Sequence, residues 1–141
     1  MPYFTRARTE AVHGIIRPDF EYEEQVMILP LHESAGVVIA TVSGRIDHAS
    51  ADAFNAALEP LLKNCVGGAN PLILDFSGVE YISSVGLRSL MLASRQAKSQ
   101  KGAFAIAGMQ PSVQEVFTIS RFSLIMPCYT SVAAACKVLG S

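Results

Sequence analysis

The stretch Leu72-Ile73-Leu74-Asp75-Phe76-Ser77-Gly78-Val79-Glu80-Tyr81-Ile82-Ser83-Ser84-Val85-Gly86-Leu87-Arg88-Ser89-Leu90 reads as a buried apolar strand, a short loop, and two serines at the threshold of an amphipathic helix. A helix N-terminus presents unpaired backbone N–H groups and a partial positive charge. A serine hydroxyl placed there is either a helix cap or a seat for an anion, including a phosphate carried on that same hydroxyl. From helix chemistry alone both readings stay open, for Ser83 and Ser84 alike.

Downstream, the helix is expected from about Ser84 to Ser99, with Leu87, Leu90, Met91, Ser94 and Ala97 on its inner face and Arg88, Leu92 and Arg95 on its outer face. An exposed leucine between arginines suits a partner surface with an apolar centre and a charged rim, although single exposed leucines are also common. Ala103–Ala107 is a short strand bounded by Gly102 and Gly108. Pro111 opens a third helix carrying Val113, Val116 and Phe117, since proline suits a first helical turn. Leu124–Met126 reads as a short strand and Val132–Leu139 as a final helix.

Upstream, Val26–Leu31 and Val37–Val42 are β-rich runs separated by His32-Glu33-Ser34-Ala35-Gly36, a hairpin signature, and Gly44 is expected to break the second strand. Ser50 is a suitable N-cap for a helix with Asp52 in its first turn. That helix presents Phe54, Ala57, Leu58, Leu61 and Leu62 on one face; Pro60 should kink or divide it, and Gly67-Gly68 end it. Strands alternating with helices predict an α/β single domain, a mixed, mostly parallel sheet packed with about four α-helices. Residues 25–141 form that domain in this reading. Residues 1–24 lack periodicity, end in acidic Glu21, Glu23 and Glu24, and read as an N-terminal extension anchored through Tyr3, Phe4, Phe20 and Tyr22.

The composition narrows the function classes. The chain has 141 residues, half of them apolar and only 16% charged, which suits one domain with a substantial core. A net charge of −1 without any Lys/Arg block argues against nucleic acid or an anionic membrane as the main partner. The apolar runs are too short to span a bilayer and the N-terminus lacks an apolar signal core, so a soluble, cytoplasmic protein is expected. Cys65, Cys128 and Cys136 lack CxxC spacing and fit reduced core thiols, and His13, His32 and His48 have no ligand spacing, so no metal or cofactor is implied.

Enzymatic readings find little support. A nucleophile elbow requires Gly-x-Ser-x-Gly, whereas the residue two before Ser84 is Ile82, and the last histidine, His48, precedes both serines. Neither GxxxxGK[ST] nor GxGxxG occurs. The expectation is a non-enzymatic module.

The stretch from Asp75 to Leu87 resembles the signature of the STAS domains, the bacterial anti-sigma factor antagonists. Ser43-Gly44-Arg45-Ile46-Asp47 is similar to the element following the family's second strand, and Gly102–Val113 to its third-strand and following-helix segment. Thr118-Ile119-Ser120-Arg121-Phe122 falls where the family has a Ser-Gly-hydrophobic stretch, and the resemblance covers about residues 25–139. It implies a STAS-like fold and a partner-switching role. Unphosphorylated, such proteins bind a serine kinase of the histidine-kinase-like ATPase type that doubles as an anti-sigma factor. The kinase phosphorylates one serine and is released, and a metal-dependent serine phosphatase restores the antagonist.

The family's phosphorylated serine matches Ser84, with Ser83 as the alternative, and its nearby acidic partner-surface residue matches Asp47. Two positions depart from the pattern: Ser83 stands where the family often has Asp, and Val85 where it often has Ser, Thr or Ala. The partner surface implied is Asp47, Ser83, Ser84, Arg88, Leu92 and Arg95, and a homodimer stays open. Asp47, at a strand end after Gly44, also suits an ordinary turn, and Arg45 reads as a solvated charge. The alternative function is a constitutive STAS scaffold subunit of a transport or stress-signalling complex, in which Ser84 is only a cap.

Overall fold

Residues 3–6 and 24–140 are described by the computed structural model. The first two strands, β1 (Tyr3–Arg6) and β2 (Glu24–Met27), pair antiparallel as a separate two-stranded sheet, with Tyr3 opposite Met27. The side chains of Tyr3 and Phe4, and the whole of Phe20 and Tyr22, on which the anchoring of the extension rests, lie outside what is described.

The main sheet has five strands in the order β3 (Leu31–Ser34), β4 (Val37–Ile46), β5 (Leu72–Ile82), β6 (Phe104–Ala107) and β7 (Cys128–Tyr129). Only the β3–β4 hairpin is antiparallel; the other three pairings are parallel. Helices α1 (Ala51–Lys63), α2 (Ser84–Ser99) and α3 (Pro111–Ile119) make the parallel crossovers, and α4 (Val132–Leu139) follows the last strand. This is the α/β single domain with a mixed, mostly parallel sheet and four helices that the sequence predicts.

Strand side chains alternate between the two faces, and the sequence fills both. Ala40, Val42, Leu72, Leu74 and Phe76 join Phe54, Leu58, Leu90, Val113 and Phe117 of the crossover helices in the larger core. Val37, Ile39, Ile73 and Ala107 face the other way and pack with Ala135 of α4. Phe117 lies edge-on to both Phe76 and Phe122, at centroid distances of 6.4 and 5.7 Å. Each such fully buried side chain contributes roughly 1.5–3 kcal/mol.

Four local expectations are corrected. The hairpin arm is Leu31–Ser34, not Val26–Leu31, because Ala35 and Gly36, both at positive φ, make the turn two residues long. Gly44 does not end β4: at φ +85° it absorbs an irregularity in the β4–β5 register, and the strand runs on to Ile46. Pro60 does not divide α1, which is continuous from Ala51 to Lys63. The carbonyl a proline displaces belongs to the residue four earlier, here exposed Ala56, while Phe54, Leu58 and Leu62 stay buried on the inner face. Finally, Leu124–Met126 is not a strand. Phe122 and Met126 are both buried at a spacing of four, Leu124 between them is exposed, and a 3-10 turn spans Phe122–Leu124. The last strand is Cys128–Tyr129, immediately after Pro127.

Candidate functional site

The site forms where β4 and β5 end together. Their register pairs Ile46 with Ile82, so Asp47 and Ser83 leave the sheet side by side, and the Ser83 N–H donates to the Ile46 carbonyl at 2.9 Å. Helix α2 starts at once. A β-carbon on Gly86 would come within 2.7 Å of Ile82 Cγ1 and 2.8 Å of Ile46 Cγ2, so the first turn of α2 lies directly on the strand ends.

The two serines separate in role. Ser83 is extended, half-buried, and accepts the Gly86 N–H on its Oγ at 3.3 Å: it is the N-cap. Ser84 is the first helical residue and is exposed, and its hydroxyl makes no hydrogen bond among the described residues. The capping bond thus goes to Ser83, and the Ser84 oxygen stands in solvent beside the positive end of a helix of 16 residues.

Asp47 is held rather than free. Its Oδ1 accepts the N–H groups of Ala49 at 3.1 Å and Ser50 at 3.2 Å, and its Oδ2 lies 3.5 Å from Arg45 Nε. Partial burial pushes its pKa upward, but the N–H donors of Ser50 and Ala49, the Ser50 hydroxyl and Arg45 outweigh that and hold it below the ordinary carboxylate value. Ser50 precedes α1 as expected, yet its side chain makes no cap bond; its Oγ instead donates to the Arg45 carbonyl at 2.8 Å and accepts the Asp47 N–H at 3.0 Å. Arg45 is more than a solvated charge, since its guanidinium lies 4.3 Å from the centroid of the Tyr81 ring.

Arg88, Leu92 and Arg95 lie along the exposed face of α2 below Ser84. The partner-surface candidates named in the sequence therefore fall on two adjoining areas, the strand ends at Asp47–Ser84 and the outer face of α2. Tyr81 and Val85, both exposed at its rim, were not singled out. Tyr81 belongs to the site through its register opposite Arg45, and strand register is not a local sequence signal.

Two of the cysteine thiols are held protonated. Burial raises Cys65, whose Sγ lies 3.1 Å from the Ala103 carbonyl, and burial pushes Cys128 up to about 11. Among the described residues no group of three or more His, Cys, Asp or Glu could hold a metal ion, and no helix is long and apolar enough to cross a membrane.

The family described as "STAS domain" matches residues 29–135. BtrV of Bordetella bronchiseptica, named as an anti-sigma factor antagonist, is 33% identical over 109 residues, covering 77% of this chain and 91% of its own. A crystal structure from Thermotoga maritima, named likewise, superposes with a TM-score of 0.70 at 21% identity over 79% of this chain and 93% of that one. The phosphorylated form of the Bacillus cell fate determinant SpoIIAA superposes with a TM-score of 0.55 at 20% identity, covering 78% and 98% of the two chains.

Proposed function

This chain belongs to the STAS-domain family of anti-sigma factor antagonists, and from that premise we propose that it is the phosphorylatable, non-enzymatic component of a partner switch. Unphosphorylated, it binds an anti-sigma factor that is also a serine kinase of the histidine-kinase-like ATPase type. Phosphate on Ser84 releases it, a metal-dependent serine phosphatase reverses the step, and the exchange takes place in the cytoplasm. The observation that carries the reading is the division of labour between the serines: Ser83 supplies the cap, which leaves the Ser84 hydroxyl exposed and, among the described residues, uncommitted.

The chemistry of the position suits a switch. A phosphoserine adds about −1.5 to −2 charges and three strong acceptors. At the first residue of α2 that charge meets the positive end of the helix, and Arg88, four residues on, is within the spacing of a helical ion pair. The fold therefore tolerates both states, while the surface changes. Burying the dianion in a partner interface without a matching cation costs several kcal/mol, which corresponds to a loss of about a hundredfold or more in affinity. Among the relatives, SpoIIAA of Bacillus is a protein whose phosphorylated form has been solved, in keeping with this reading.

The test measures the affinity of the cognate anti-sigma factor for the wild-type chain and for Ser84→Asp and Ser84→Ala. The reading expects Ser84→Ala to bind like the wild type and Ser84→Asp to bind at least tenfold more weakly. Equal binding by all three would leave the constitutive scaffold as the better account.

A further inference from the structure

The outer face of α2 carries charge of one sign. Arg88 and Arg95 are exposed on it, and Lys98 continues the line, its ammonium donating to the Ile125 carbonyl at 3.3 Å. No acidic residue occurs in α2, and among the described residues neither arginine has an ion-pair partner. The chain as a whole carries a net charge of −1, so this ridge is local and not a consequence of composition.

Beside the ridge, between α1 and α2, runs a groove of about 210 Å³. Buried Leu58, Leu62 and Ala93 line it, Leu92 is 47% exposed on its α2 lip, and Asn55 and Glu59 stand on its α1 lip. Glu59 is matched within its own helix by Lys63, at 4.0 Å. Ser89 and Gln96 complete the α2 side, so the trough has an apolar floor with polar walls, and the charge left over beside it is that of the arginines. A trough between two packed helices is also the shape into which a third helix lays its apolar stripe.

We propose that this ridge and groove dock an amphipathic, acidic helix of the protein partner, its apolar stripe against Leu92 and its Asp/Glu flank against Arg88 and Arg95. The inference rests on the partner-switch reading and extends it along α2, away from the phosphorylation site. It also supplies a reason for release. A phosphate on Ser84 engages Arg88, so the partner's acidic flank loses a cation and meets a dianion at the head of the same helix. Both effects oppose binding, and neither requires the fold to move.

The test uses the full chain and the cognate anti-sigma factor. Binding is measured by calorimetry across a salt series for the wild type, Arg88→Glu/Arg95→Glu and Arg88→Gln/Arg95→Gln. A photo-crosslinking residue at position 92 maps the contact, and Ser84 phosphate is quantified in parallel. The proposal expects about a hundredfold weaker binding for the charge reversal, an intermediate loss with a flatter salt dependence for the glutamine pair, and a crosslinked partner peptide rich in Asp and Glu. Circular dichroism of these surface variants should match the wild type. Unchanged affinity in both variants, or a crosslink to residues 7–23 of this chain or to a second copy, overturns it. If Ser84 is still phosphorylated in that event, only this inference fails; if the wild type neither binds nor gains phosphate, the switch reading falls with it.

Discussion

The Ser83 N–H donates to the Ile46 carbonyl at 2.9 Å, and that bond ties the start of α2 to the end of a neighbouring strand. The Ser83 hydroxyl accepts the Gly86 N–H, and the next residue, Ser84, takes the exposed first position of the helix. Adjacent identical residues thereby acquire different chemistry from backbone geometry alone.

That difference is measurable as stability. Ser83→Ala removes a cap and should cost about 1 kcal/mol, whereas Ser84→Ala should stay within about 0.5 kcal/mol of the wild type. Urea unfolding of the two variants checks this, and the reverse order would contradict the assignment of the cap.

Gly86 sits where any side chain would press on the sheet. Gly86→Ala places a β-carbon 2.7 Å from Ile82 Cγ1 and 3.0 Å from the Ile46 carbonyl oxygen. The variant should lose about 1–3 kcal/mol, as overpacked cores do, despite alanine's better helix propensity. A melting temperature at or above that of the wild type would show that α2 does not rest on the strand ends as described.

Asp47 links stability to acid. Its folded pKa lies below the ordinary carboxylate value, so its contribution is fully present above that ordinary value and is lost as pH falls through the folded pKa. Asp47→Ala should lower the melting temperature at pH 7 and narrow its gap from the wild type at the acid end. Asp47→Asn keeps an acceptor for the Ala49 and Ser50 N–H groups and should recover part of the loss, the remainder reflecting Arg45. Thermal scans at a series of pH values read out both effects.

The thiols should differ in reactivity. Cys65 is fully buried, and the Cys128 thiol, raised to about 11, is almost entirely protonated at pH 8. Iodoacetamide at that pH should label Cys136 first, and Cys65 only on unfolding. Peptide mapping of the alkylated protein would show an early Cys65 adduct if that part of the core were open.

Much of this architecture is legible locally. The continuous apolar run at Leu72–Phe76, the helical spacing from Ser84 to Ser99 and Pro111 at a helix start are all period or capping signals, and the structure places elements at each. What the sequence does not reveal depends on partners distant in the chain. Leu124-Ile125-Met126 looks like a strand until Phe122 and Met126 are seen to bury together. Arg45 looks solvated until the parallel register brings Tyr81 beneath it, and the choice between Ser83 and Ser84 as cap is read from the extended backbone of Ser83 and the Gly86 N–H its hydroxyl accepts. The sequence brings Asp47, Ser83 and Ser84 forward as candidates, whereas the different hydrogen bonding of the two serines is visible only in the fold.

The central claim is that Ser84 is the acceptor of a regulatory phosphate. The direct measurement is mass spectrometry of the full chain after incubation with its cognate kinase and ATP, with fragmentation fine enough to separate Ser83 from Ser84. The account predicts one phosphate, on Ser84, retained in Ser83→Ala and abolished in Ser84→Ala. Phosphate on Ser83, or none on either serine in a mixture where the two proteins bind, would contradict it.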